Sequence, residues 1–285
     1  MSTAQNARRR LGPFGRRGLK RADGSMSLVQ HLTELRTRLV ISAVAFVALS
    51  VGAFVFFEPI LDVLLRPLCS IDADKLGPQG CRLIFHGVME AFTVRLKVTA
   101  MVGIAVSSPI WLYQLWAYVV PALSNKERHY ALPFLFSTIA LLLVGAGFAY
   151  LTLPMGLNFL ISIGGSDLVP LLGADTYLNF IGLLLIGFGV AFELPLLVFF
   201  LGLAGVISVS QLRAKRRLAI VLVVALAAVV TPSQDPYTML ALAVPLYLFY
   251  EAAIFALSVV ARRRAKAEEA NAMKMSDDEE EVAQR

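Results

Sequence analysis

Residues 177–205 read YLNFIGLLLIGFGVAFELPLLVFFLGLAG. The stretch is long enough to cross a bilayer and almost wholly apolar, yet Glu193 stands inside it. A carboxyl at that depth costs about 2.5–3.5 kcal/mol on insertion scales. Such a residue marks a membrane protein with polar work to do inside the membrane.

The rest of the chain agrees. Of its 285 residues, 58% are hydrophobic and only 16% charged, where a soluble domain carries about 25% charged residues. The mean hydropathy is +0.71. The apolar residues fall into blocks, which predicts an all-α polytopic protein. Six spans are read: 39–57, 98–120, 131–153, 177–205, 218–230 and 237–261. The fifth is shorter than the roughly 17–25 residues of a full crossing. It needs a locally thinned bilayer or ends buried in protein. Prolines at Pro109, Pro195 and Pro245 fall within spans, and Pro133 and Pro154 near the ends of the third. Each removes a backbone donor and bends its helix, so a curved assembly is expected.

Basic residues orient the spans. They crowd before the first span and in the loops after the second (Lys126, Arg128) and fourth (Arg213, Lys215, Arg216, Arg217). They crowd again after the sixth (Arg262, Arg263, Arg264). With six spans all these lie on one side, so both termini are expected in the cytoplasm. The net charge of +6 is then topogenic and does not point to nucleic acid. Residues 1–26 are expected to form a disordered basic tail, 27–261 the membrane domain, and 262–285 a disordered tail with an acidic end at Asp277–Glu281. The basic stretch and long first span do not read as a cleaved signal peptide.

The loop between the first two spans is long. Pro59 to Pro67 has apolar residues at helical spacing, reading as a short amphipathic surface helix that ends at its proline; 85–97 reads as a second helix. Cys69 and Cys81 both lie in this loop. An oxidising exterior permits a disulfide between them, worth at most about 3 kcal/mol by loop closure; two free thiols are the alternative.

The sequence lacks His-Glu-x-x-His, Gly-x-Ser-x-Gly and a phosphate-binding Gly-x-x-x-x-Gly-Lys-Ser/Thr loop, and its three histidines are scattered. No enzyme, metal site, cofactor or ATPase is therefore expected. Proton-coupled transport of a small solute, with Glu193 and Glu251 as carriers, is one reading of buried acids among helix-breaking prolines.

Four motifs point elsewhere. They are His31-Leu32-Thr33-Glu34-Leu35-Arg36 before span one, and 108–123 (SPIWLYQLWAYVVPAL) followed by Lys126-Glu127-Arg128. Phe188 to Pro195 (FGVAFELP) and Thr231-Pro232 complete the set. In this order and spacing, from Ser27 to Ala261, the chain resembles the TatC family, the large membrane subunit of the twin-arginine protein translocase. The resemblance implies a six-helix, cup-like fold whose concave side Glu193 faces. It implies a receptor for signal peptides with two adjacent arginines, bound through Glu34 and Glu127 with Arg36 and Tyr118 nearby. It also implies partners: single-span TatA-type and TatB-type subunits, further copies of the chain, and the lipid of the plasma membrane. Transport of folded proteins would draw on the proton gradient. Tyr118 stands where the family often has Phe. Asp235 is the candidate for the family's acidic residue after Thr-Pro, one position further on than usual; capping the sixth span is its alternative role. Glu34 and Arg38, four apart, can also pair along one helix face.

Overall fold

The computed structural model describes residues 28–77, 80–119, 131–165, 170–232 and 235–283. Apolar blocks with few polar interruptions form helices because, away from water, only intrahelical bonds satisfy every backbone group. Among the described residues ten helices follow in order: α1 (Leu28–Val55), α2 (Phe57–Cys69), α3 (Ala73–Leu76), α4 (Glu90–Val106), α5 (Ser108–Val119), α6 (Ala131–Ile163), α7 (Ala174–Leu203), α8 (Val209–Ala214), α9 (Arg216–Val230) and α10 (Pro236–Ala283). No strand occurs among the described residues, only a parallel bridge between Ile84 and Gly173.

Stretches of α1, α6, α7 and α10 are each long and apolar enough to cross a membrane, and α4 with α5 makes a fifth candidate. The second predicted span is thus two helices, meeting at 51°. Pro109 explains the break, since it has no N–H to continue the ladder and its ring collides with the preceding turn. At the break the Ile104 carbonyl accepts from Ser107 Oγ and Trp111 Nε1, both at 3.2 Å. Pro154, Pro195 and Pro245 lie inside unbroken helices. The 15 residues of α9 make about 22 Å at 1.5 Å per residue, too short for a hydrocarbon core of roughly 30 Å. Its C-terminal end is sunk into protein, with Ala227 and Thr231 buried.

The surface helix α2 begins before Pro59 and continues past Pro67 to Cys69. A proline at 67 leaves the Val63 carbonyl without its amide partner. Tyr150 of α6 donates to that oxygen at 2.8 Å, so the helix does not end where the sequence suggested. The helix expected over 85–97 starts at Glu90 instead, because Ile84 is drawn into the bridge with Gly173. At the other extreme α10 runs on to Ala283, well into the stretch read as an irregular tail. Residues 265–270 (AKAEEA) are strong helix formers that extend the span without a break.

The core centres on α7, whose Ile181, Leu184, Phe188 and Phe192 are among the most buried side chains. It packs on α4, α6, α9 and α10. The closest approach to another helix's backbone is at Gly145 of α6, where an added Cβ would stand 2.7 Å from the Phe188 carbonyl oxygen. Small residues that admit such approaches are what holds helices together where lipid is as apolar as the side chains.

Candidate functional site

The N-terminal turns of α1 present His31, Glu34, Arg38 and Ser42 at three- and four-residue spacing, one stripe on one face. That stripe meets α5. Arg38 Nε lies 3.1 Å from Glu34 Oε1 and Nη2 2.5 Å from the same oxygen. Arg38 Nη1 donates to Gln114 Oε1 of α5 at 3.2 Å. One α5 turn further on, Tyr118 stacks on His31 with ring centroids 4.4 Å apart. The pairing of Glu34 with Arg38 is the one the spacing predicted. What the sequence did not disclose is that Gln114 completes the ion pair and that His31 carries Tyr118. Their i,i+4 relation on α5 was visible, but nothing in it named α1 as the partner. Arg36 is exposed and, two residues from each, stands across the helix from Glu34 and Arg38. Glu127 lies outside the described residues.

Glu193 sits on α7 facing α6, flanked by Thr138 and the Leu142 backbone. The Thr138 hydroxyl is given to the Phe134 carbonyl at 3.1 Å. Glu193 Oε1 is buried and has no hydrogen-bond partner among the described residues. A buried polar atom left this way is costly. Below it, toward the Glu34 end, Trp116 of α5, Phe134 of α6 and Phe200 of α7 form an aromatic cluster, with centroids 4.7, 5.3 and 4.9 Å apart. The cluster is the packed layer between the polar site on α1 and α5 and the Glu193 carboxyl on α7.

Glu251 is in a different state. Arg216 Nη2 lies 2.7 Å from its Oε2, and Tyr247 donates to its Oε1 at 3.0 Å. Asp235 is buried and caps α10: its Oδ1 accepts the Thr238 amide at 2.9 Å, and its Oδ2 accepts the Thr238 hydroxyl. Pro236 follows as the first helical residue, where its missing N–H is harmless. The geometry therefore gives Asp235 the capping role.

The long first loop is stitched to the α6–α7 connection. Cys69 and Cys81 are joined, with Cα atoms 5.0 Å apart. Ile84 exchanges backbone bonds with Leu172 and Ala174 at 3.1 and 2.9 Å. Lys97 pairs with Asp175 at 2.7 Å, and Lys75 donates to Asn158 at 2.8 Å. Arg95 of α4 donates to the Phe54 carbonyl at 3.0 Å, satisfying the exposed end of α1 as a cation near a helix C-terminus does. Among the described residues, no group of three or more His, Cys, Asp and Glu side chains is arranged to hold a metal ion.

Comparison with known proteins supplies the context for these features. Residues 30–245 match the family model for the Sec-independent protein translocase protein (TatC). A protein of that name from Frankia casuarinae is 46% identical over 81% of this chain, and another from Aquifex aeolicus is 36% identical over 86%. The chain spans 65% of the Frankia relative's length and all of the Aquifex one. A solved structure described as the twin-arginine translocase receptor TatC superposes with a TM-score of 0.67 at 36% identity, covering 81% of this chain and 99% of that one.

Proposed function

This chain belongs to the TatC family of Sec-independent protein translocase proteins, and from that premise we propose that it is the signal-peptide receptor and core membrane subunit of a twin-arginine translocase. Six crossings in a cup-like bundle, with both termini in the cytoplasm of the plasma membrane, is the topology we adopt. Helices α1, α6, α7, α9 and α10 and the α4–α5 pair make six passages. The cations at 213–217 and 262–264 then share a side with Arg36 and Arg38, as the positive-inside rule requires.

The observation that carries the proposal is the polar cluster of Glu34, Arg38 and Gln114 beside the stacked Tyr118. It offers a carboxylate and an aromatic face to a guanidinium, which carboxylates bind in a planar fork that lysine cannot match. Glu127 supplies the second carboxylate, while Arg36, across α1 from Glu34, is left outside this cluster. Glu193 serves a later step. Its unpartnered oxygen receives a polar donor from the helix of a single-span TatA-type or TatB-type subunit. Folded precursors then cross with energy from the proton gradient. The small-solute reading is weaker, because Glu251, its second carrier, is neutralised by Arg216.

Binding of a twin-arginine signal peptide to the purified chain tests the receptor role. The Lys-Lys peptide, Glu34→Ala and Glu127→Ala are each expected to weaken binding by about tenfold or more, the worth of one charged hydrogen bond. Indifference to all three would end the proposal. Glu193→Ala is expected to leave binding intact and to abolish transport.

A further inference from the structure

The chain carries adjacent arginines of its own. Arg16 and Arg17 form one pair, and Arg8, Arg9 and Arg10 a run of three. Residues 1–26 hold six arginines and one lysine against a single acid, Asp23. This segment lies outside the described residues, but its point of attachment does not. It leads into α1 at Leu28, the helix that carries Glu34. From Leu28 to Glu34 is about 9 Å along the helix axis. Arg17 stands 11 positions before Leu28, and 11 residues span at most about 36–40 Å. The segment is therefore long enough to double back to the site. Glu34 has an oxygen to offer it. Both nitrogens that Arg38 brings to this carboxylate go to Oε1, and no described residue donates to Oε2. The Glu34 side chain is 25% exposed, so a guanidinium can reach that oxygen from outside.

We propose that the N-terminal segment is a built-in competitor of the receptor site: the Arg16-Arg17 pair seats a guanidinium on the open oxygen of Glu34 until a signal peptide displaces it. The inference rests on the receptor reading and adds regulation to that site. Tethering makes a weak contact count. At an effective concentration on the order of 1 mM, a segment with an intrinsic affinity of about 0.1 mM fills the site roughly nine-tenths of the time. A site free for the remaining tenth has its apparent affinity for an added peptide cut about tenfold. The competitor is also built to yield. After Arg17 come Gly18-Leu19-Lys20-Arg21-Ala22-Asp23-Gly24-Ser25, with nothing like the apolar stretch of about 7–15 residues that a signal peptide carries. The segment holds the site by its charged part alone, and a peptide that adds apolar contacts displaces it. Anionic lipid attracts basic segments too. The Glu34 oxygen is the stronger acceptor because a partly buried pair is screened by salt much less than one at a wet headgroup.

The test measures the affinity of an Arg-Arg signal peptide for the full chain in nanodiscs of zwitterionic lipid. The proteins are wild type, Arg16→Lys with Arg17→Lys, and Arg16→Gln with Arg17→Gln, each with and without Glu34→Ala. The Lys double variant keeps the charge of the segment but loses the planar fork, and it is expected to bind the peptide up to about tenfold more tightly than wild type. The Gln double variant should gain at least as much. If the segment merely repels a cationic peptide by its charge, the Lys variant will match wild type, and that result overturns the proposal. A second readout follows the segment itself. Spin labels are placed by Gly18→Cys and by Leu115→Cys, an exposed position beside Gln114; the native cysteines are joined to each other and take no label. A short-distance population is expected in the peptide-free chain, lost on adding the Arg-Arg peptide and absent with Glu34→Ala. A distance that changes with anionic lipid but not with Glu34→Ala puts the segment on the membrane and also overturns the proposal. Should the peptide bind neither wild type nor the Lys variant, or bind both regardless of Glu34, the receptor reading falls and the competitor with it. Glu34-dependent binding that is equal in wild type and both double variants removes the competitor alone.

Discussion

The two ends of the molecule are built differently. At the loop end the connections are tied by a disulfide, a backbone bridge and the buried cap of Asp235. The end carrying Glu34 has no such ties among the described residues. It is held by side chains that can let go: the Glu34–Arg38–Gln114 chain, the His31–Tyr118 stack and the Arg216–Glu251 pair. Backbone ties and a covalent link resist exchange with a ligand. Partly exposed ion pairs, worth about 0–1 kcal/mol, do not. The contrast fits a frame at one end and, in the proposed function, recognition at the other.

Removing the covalent tie should have the largest effect. Replacing Cys69 and Cys81 together by serine is expected to lower stability by up to about 3 kcal/mol. It would appear as a reduced midpoint of thermal unfolding in detergent and faster proteolysis between 70 and 89. Affinity for a twin-arginine peptide should stay within about twofold, as for distant, independent sites. An equal loss of affinity would show that the ends are coupled and break the comparison.

The middle of the bundle comes next. Gly145→Ala drives a methyl into the α7 backbone at Phe188 and is expected to cost about 1–3 kcal/mol. Gly147→Ala on the same helix meets nothing within 4 Å and should be neutral or stabilising by up to about 1 kcal/mol. Thermal unfolding of the two variants side by side decides it; similar midpoints would deny that α6 and α7 are pressed together there.

The smallest effect belongs to the cap. Asp235→Ala is expected to cost about 1 kcal/mol, with peptide affinity unchanged and transport reduced only in proportion to folded protein. Full stability with lost transport would instead make Asp235 a functional residue of the external turn.

Much of this was legible in the chain. Blocks of apolar residues, the short α9, the break near Pro109, the cationic loops and the Glu34–Arg38 spacing are local features. Local features follow from helix geometry and from what a bilayer will accept. The motifs around Glu34, Glu193 and Thr231 also sufficed to point to the family. Where the sequence misled, a distant side chain had overridden a local signal. Pro67 should have ended α2, but Tyr150, 87 positions away from Val63, satisfied the freed carbonyl.

By itself, then, the sequence determined that this is a helical membrane protein, roughly where its helices run, and which carboxylates are out of place in an apolar setting. Only the tertiary structure decided the state of each one. Glu34 is clasped by Arg38 under Gln114, Glu251 is neutralised by Arg216, Asp235 is spent on a helix cap, and Glu193 keeps an oxygen without a partner among the described residues. The physical reason is that a carboxyl's cost and chemistry depend on the few groups within hydrogen-bond reach. Except for neighbours a turn away, those groups come from helices whose meeting no local pattern encodes.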